Sequence, residues 1–153
     1  MRGDHLSAPE QPEASLVGSM EELDEAECLR LLASTTVGRV GFVVNERPIV
    51  LPVNYAIDGR TVVFRTGEGT VLNKTALQII AFEVDQIDAE THSGWSVLAQ
   101  GIAQDVGTAI DTRSEELRAL ALVTWAPDKR DRWFRLDADT LTGRRLSVRP
   151  ASP

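Results

Sequence analysis

Between Val37 and Thr66 the chain reads as three extended segments joined by tight turns, and few folds accept that pattern. Val37-Gly38-Arg39-Val40-Gly41-Phe42-Val43-Val44 is rich in β-branched and aromatic residues, and Asn45-Glu46 supplies a turn. Pro48 to Ile57 is a second strand. Pro48 and Pro52 have no N–H for a ladder, so they belong at a sheet edge, a strand start or a bulge. Asp58-Gly59 is a tight-hairpin pair, and Arg60 to Thr66 forms the third strand. Three strands in meander order make the sheet antiparallel.

The remaining segments extend that frame. Gly67-Glu68-Gly69-Thr70 leads into a short helix through about Ala76. Ile79 to Asp85 is a fourth strand, and Trp95 to Val106 a long fifth one with Gly101 as its bend or bulge. Thr112 and Glu115 have the spacing of a capping box and open a helix carrying Leu117, Leu120 and Ala121. Trp125-Ala126-Pro127-Asp128 ends it. Trp133 to Leu136 and Thr142 to Leu146 complete a sixth strand region. Upstream, Asp24 and Glu27 repeat the capping box before an amphipathic turn bearing Cys28, Leu31 and Leu32. Residues 1–18 are polar and read as a flexible tail, 19–148 as one domain and 149–153 as a short C-terminal tail. A chain of 153 residues, 42% of them hydrophobic, suits a single core. The predicted class is mainly β: a six-stranded antiparallel barrel of Greek-key type with short flanking helices.

Charge narrows the function. A net charge of −7 argues against a nucleic-acid binder, which needs a cationic surface to displace counterions, and against an anionic membrane surface. No apolar run has membrane-spanning length and the first residues lack a signal-peptide core, so a cytoplasmic protein is expected. Cys28, the only cysteine, is read as a small buried hydrophobe. His5, in the tail, and His92, in the turn Glu90 to Gly94, are the only histidines, so a hydrolytic triad or a multi-histidine metal site lacks its parts. Lys74-Thr75 ends a stretch with a superficial P-loop look, but Asn73 stands where that loop requires glycine.

The strongest chemical signal is Arg65-Thr66 entering a turn with Gly67 and Gly69. Arginine offers a fixed fork of donors to a phosphate, threonine a hydroxyl, and glycine lets backbone N–H groups approach closely. Pro52-Val53-Asn54-Tyr55 is the second signal. A strand interrupted by proline leaves backbone groups free to meet the polar edge of a planar ring.

Taken in order, several segments resemble the pyridoxamine 5′-phosphate oxidase-like, FMN-binding split β-barrel family, in its nitroimidazole-reductase-like branch. They are Glu27-Cys28-x-x-Leu31-Leu32, Val37 to Phe42, Pro48 to Tyr55, Val63-Phe64-Arg65-Thr66-x-x-Gly69-Thr70, Gly94-Trp95-Ser96-Val97, Trp125-Ala126-Pro127 through Trp133, and Gly143-Arg144. The resemblance implies a homodimer with FMN in the groove between subunits and a small electrophilic or heterocyclic substrate. It places Leu51, Val53, Asn54 and Tyr55 toward the ring or ribityl chain, and Arg65, Thr66, Gly69 and Thr70 around the phosphate. Trp95 would approach from the partner subunit. Relatives usually carry lysine where this chain has Val71, which leaves Lys74 or Arg39 as replacements. A flavin-dependent oxidoreductase is the leading expectation, with a non-catalytic flavin- or haem-binding barrel as the alternative. His92 is the only ordered haem ligand on offer, and a basic groove for the acidic tail of deazaflavin F420 is not evident.

Overall fold

The computed structural model describes residues 15–67, 78–126 and 132–151. Strand β1 (Leu16–Leu23) leads into helix α1 (Glu25–Leu32), followed by β2 (Val37–Val44), β3 (Arg47–Asp58) and β4 (Thr61–Thr66). Then come β5 (Ile79–Asp88), β6 (Ser93–Asp105), helix α2 (Thr112–Arg118), β7 (Arg132–Asp137) and β8 (Thr140–Pro150). The expected helix after Gly67 lies outside the described residues. Pairing begins at Leu16 and runs to Pro150, so the sheet reaches past the expected domain limits of 19 and 148.

Both predicted hairpins form. Val44 pairs with Arg47 across Asn45-Glu46, whose φ angles of 49° and 62° are those of the two-residue turn that matches strand twist. In the next hairpin Asp58 pairs with Thr61, so the loop is Gly59-Arg60, one residue later than Asp58-Gly59. Gly59, at φ 59°, supplies the left-handed position.

The strand order explains the closure. β5 returns beside β2 to give the sequence β5-β2-β3-β4, a Greek key, and β7 bridges β4 and β6 while β6 pairs with β5. Six strands therefore close on themselves. The expected sixth strand region is in fact two strands on different stretches of β6. Gly94 to Gln100 pair with β8, outside the barrel, and Ala103 to Asp105 pair with β7. Gly101 marks the exchange: a Cβ there would stand 2.2 Å from the carbonyl oxygen of Asp137. β1 then adds to β8 as an outer strand.

Side chains alternate as a barrel requires. Val53, Tyr55, Phe64, Phe82, Val97 and Phe134 fill the interior, with Phe64 and Phe134 stacked at 5.7 Å between centroids. Each such buried side chain contributes roughly 1.5–3 kcal/mol by area removed from water. Cys28, Leu31 and Leu32 of α1 are buried in the same core, the cysteine as a free thiol. β4 is buried on both faces, because Val63 packs outward on Leu117 and Leu122. That is why Val62-Val63-Phe64 reads as a continuous apolar run instead of an alternating one.

Each helix departs slightly from its expected cap. Asp24 accepts from the Glu27 N–H at 2.8 Å, but the Glu27 carboxylate turns to Arg30 and Arg145 and does not return to the cap. For α2 the cap is Asp111, not Thr112. Its carboxylate takes both the backbone N–H of Ser114 at 2.9 Å and the Ser114 hydroxyl at 2.7 Å. Among the described residues no helix is long and apolar enough to cross a membrane.

Candidate functional site

A candidate cleft arises from a failure of pairing between β3 and β4. Their ladder starts at Tyr55 with Phe64, and continuing it by one step would set Asn54 against Arg65. That pair is not made. The Tyr55 N–H donates to Thr36 O at 3.0 Å, so odd-numbered residues of β3 turn their backbone toward β2. Strand alternation then turns Pro48, Val50, Pro52 and Asn54 the other way, toward the open side. The prolines thus sit where they remove no ladder bond, and they leave neighbouring backbone groups available.

Where the strands part, a cleft of ≈ 240 Å³ opens. Pro52, Val53 and Asn54 form one wall, with Val37 behind them; Arg65 lies on β4, and Thr124, Trp125 and Ala126 form the facing wall. Asn54 links two of these walls, because its Oδ1 accepts from the backbone N–H of Trp125 at 2.8 Å.

Arg65 has an unusual setting. Its guanidinium carbon lies 4.8 Å from the centroid of Trp133, and its Nε is buried without a hydrogen-bond partner among the described residues. Most described arginines hold carboxylates: Arg60 holds Glu25, Arg113 holds Asp58, Arg132 holds Asp105 and Arg145 holds Glu27. Arg65 has no such partner among the described residues, although acidic side chains outnumber basic ones by 23 to 16. A buried donor without an acceptor costs about 1–3 kcal/mol, a penalty that an arriving anion would remove. Thr66 Oγ1 is likewise buried and unpartnered among the described residues. The strand alternates between the two, however, so Arg65 opens to the cleft and Thr66 faces the barrel interior.

The structure therefore brings Val53, Asn54 and Arg65 together and, among the described residues, sets the other predicted ones apart from them. Tyr55 turns its ring into the core, edge-on to Phe82 at 4.8 Å, and its hydroxyl donates to Leu32 O. It does not face the cleft. Leu51 points inward as well and packs against the core. Arg39 lies on the outer face of β2, held by Glu83 at 3.0 Å and Asp85 at 3.4 Å. Burial and the neighbouring Asp85 push the Glu83 carboxyl up, even against that arginine. Trp95 lines a separate hollow at the β5–β6 turn with Gln86 and Asp88. His92 sits exposed at φ 51° in that turn. Gly69, Thr70, Val71 and Lys74 lie outside the described residues.

Thr124-Trp125-Ala126 belongs to the cleft and was not among the predicted site residues. The available signal was a tryptophan just past the end of a helical pattern and before Pro127, where no core strand could bury it.

A closed six-stranded antiparallel barrel, split where a proline-bearing strand leaves its neighbour, is a split β-barrel. Residues 24–145 match the family model described as pyridoxamine 5′-phosphate oxidase, and the chain belongs to that family. The uncharacterised protein Rv0080 of Mycobacterium tuberculosis is 30% identical over 138 residues, covering 86% of this chain and 89% of that one. Among solved structures, the FAD binding protein from Mycobacterium smegmatis is 34% identical with a TM-score of 0.68, over 82% of this chain and 97% of that one. An FAD-binding protein from Mesorhizobium loti shares the fold, with a TM-score of 0.69 at 18% identity over 86% of this chain and 99% of that one.

Proposed function

We propose that this chain binds a flavin nucleotide in the split between β3 and β4 and acts as a flavin-dependent oxidoreductase on a small electrophilic or heterocyclic substrate. One observation carries the reading: Arg65, which has no carboxylate partner among the described residues and rests on Trp133, lines the same cleft as the unpaired backbone edge at Pro52. The first suits a phosphate, the second the polar rim of an isoalloxazine ring. The similar protein from Mycobacterium smegmatis is described as FAD binding, which supports the same ligand class. FMN and FAD share the ring and the first phosphate, and both meet these two features; FMN is the form the family resemblance implies.

When bound, the flavin supplies the electron-transfer chemistry. The chain's own residues would bind and orient it: Arg65 would hold the anion, the β3 edge would meet the ring, and Val37 and Val53 would add apolar lining that excludes water. Among the described residues, those that line the cleft include no carboxylate, histidine or cysteine. A homodimer would complete the groove. In support, β1 stands outside the barrel with Leu16 and Met20 exposed on one face, apolar side chains that a second copy could cover.

Absorbance of the purified protein tests this reading, together with its mass in solution. A yellow dimer whose released cofactor elutes as FMN or FAD is the expected result. Protein that stays colourless with excess of either flavin would end the proposal. A bound flavin that no donor and acceptor pair can cycle would make the chain a flavin carrier instead of an enzyme.

A further inference from the structure

The cleft wall facing β3 is Thr124-Trp125-Ala126, the end of a stretch, 121–126, that has no helix or strand. Its polar anchor is the hydrogen bond from the Trp125 N–H to Asn54 Oδ1. Trp125 leaves 72% of its surface exposed, although few side chains gain more from burial. The other two tryptophans are used in packing: Trp95 lies against the barrel core and Trp133 against Val63 and Leu117. Trp125 belongs to neither cluster, yet it lines the cleft with Pro52 and Arg65. A hydrogen bond fixes its backbone at the cleft while its indole packs in neither core.

Resting on the flavin reading above, we infer that Trp125 is a binding residue for the planar ring of the flavin, and that Asn54 is the positioning residue holding it there. A flat conjugated ring is the ligand class such a wall fits, because offset stacking uses the whole indole face. Asn54 sits at the point where β3 leaves β4, so its side chain is free to reach across the gap. The hydrogen bond thus ties the far wall to the opening of the split itself.

The experiment titrates the purified, flavin-stripped full chain with FMN and, separately, with FAD, following flavin fluorescence, and repeats both titrations for variants. Trp125→Ala is expected to weaken the flavin that the wild type binds by about tenfold, in the range of ring stacking on an aromatic side chain. Trp125→Phe keeps a stacking face and is expected to stay within about threefold. Val123→Ala, on the same stretch and 74% exposed, serves as the control and leaves affinity unchanged. Asn54→Ala should mimic Trp125→Ala, and the double variant should be no weaker than Trp125→Ala alone, since Asn54 acts through Trp125.

Wild-type affinity in Trp125→Ala would overturn the inference while leaving the flavin reading intact. So would a Trp125→Phe variant as weak as the alanine, since the loss would then owe nothing to an aromatic face. Additive losses in the double variant would remove Asn54 from its positioning role. A wild type that binds neither FMN nor FAD refutes the flavin reading, and this inference with it.

Discussion

Arg65 stands directly across the β4–β7 ladder from Trp133, and its guanidinium carbon lies 4.8 Å from the indole centroid. An aromatic platform holds a guanidinium without consuming its charge, whereas a carboxylate partner would neutralise it. This pairing keeps one arginine of an acidic chain available to an anion.

Replacing the platform should therefore weaken flavin binding without touching the ligand's own contacts. Trp133→Leu is expected to reduce affinity by about 1 kcal/mol, or roughly fivefold, the scale of a partly desolvated cation–π contact. Arg65→Ala should lose more, about 1.5–3 kcal/mol, because a charged hydrogen bond goes with it. Flavin titration of both variants checks the order. Equal losses, or none for Trp133→Leu, would mean that Arg65 is held in place by something else.

Tyr55 gives a second test, since its hydroxyl is committed to Leu32 O and its ring to the core. Tyr55→Phe keeps the ring and orphans a carbonyl, so stability should fall by about 1–2 kcal/mol. Flavin affinity should not change. Chemical denaturation measures the first and titration the second. A large affinity loss with unchanged stability would return Tyr55 to the site.

These residues also show what could be read from sequence and what could not. Turns are local chemistry, so Asn45-Glu46 and Gly59 announced both hairpins, and the prolines of β3 announced an open edge. The place of Arg65 at the end of β4 was legible, because the strand pattern stops at Thr66 before Gly67. The role of Tyr55 was not legible. Strand alternation assigns Val53 and Tyr55 to one face, but which face meets a ligand depends on where β4 departs. Trp125 escaped for a related reason: its neighbour Asn54 is 71 positions away in sequence. The splitting of the last strand region into β7 and β8 was hidden too, because it depends on β6 changing partners at Gly101.

That exchange point is itself testable. A methyl group at Gly101 would stand 2.2 Å from Asp137 O and 3.1 Å from Leu136 Cδ1, and the first of these is backbone that cannot swing aside. Gly101→Ala should force the β7–β8 connection away from β6 and destabilise the fold by roughly 1–3 kcal/mol or more, the scale of overpacking. Thermal melting reads the loss. A variant that melts with the wild type would show that the close approach at Gly101 is not maintained in solution.

Glu27 links the fold to pH at the acid end. Its carboxylate accepts from Arg30 at 2.7 Å and from Arg145 at 2.6 Å, so that it ties α1 to β8. Hydrogen bonds from Arg30 and then Arg145 lower its pKa from 4.5 to about 2. Between those two values the unfolded chain binds a proton that the folded one refuses, so stability rises with pH across the window. The contribution is complete above about pH 4.5 and disappears as pH falls through 2. Glu27→Gln removes the charge at every pH. The variant should be less stable than the wild type at neutral pH, and the gap should close progressively below pH 4.5 until the two converge near 2. Melting curves of both proteins from pH 7 down to 2 test this. A gap that stays constant over that range would assign the loss to packing, not to the two arginine pairs.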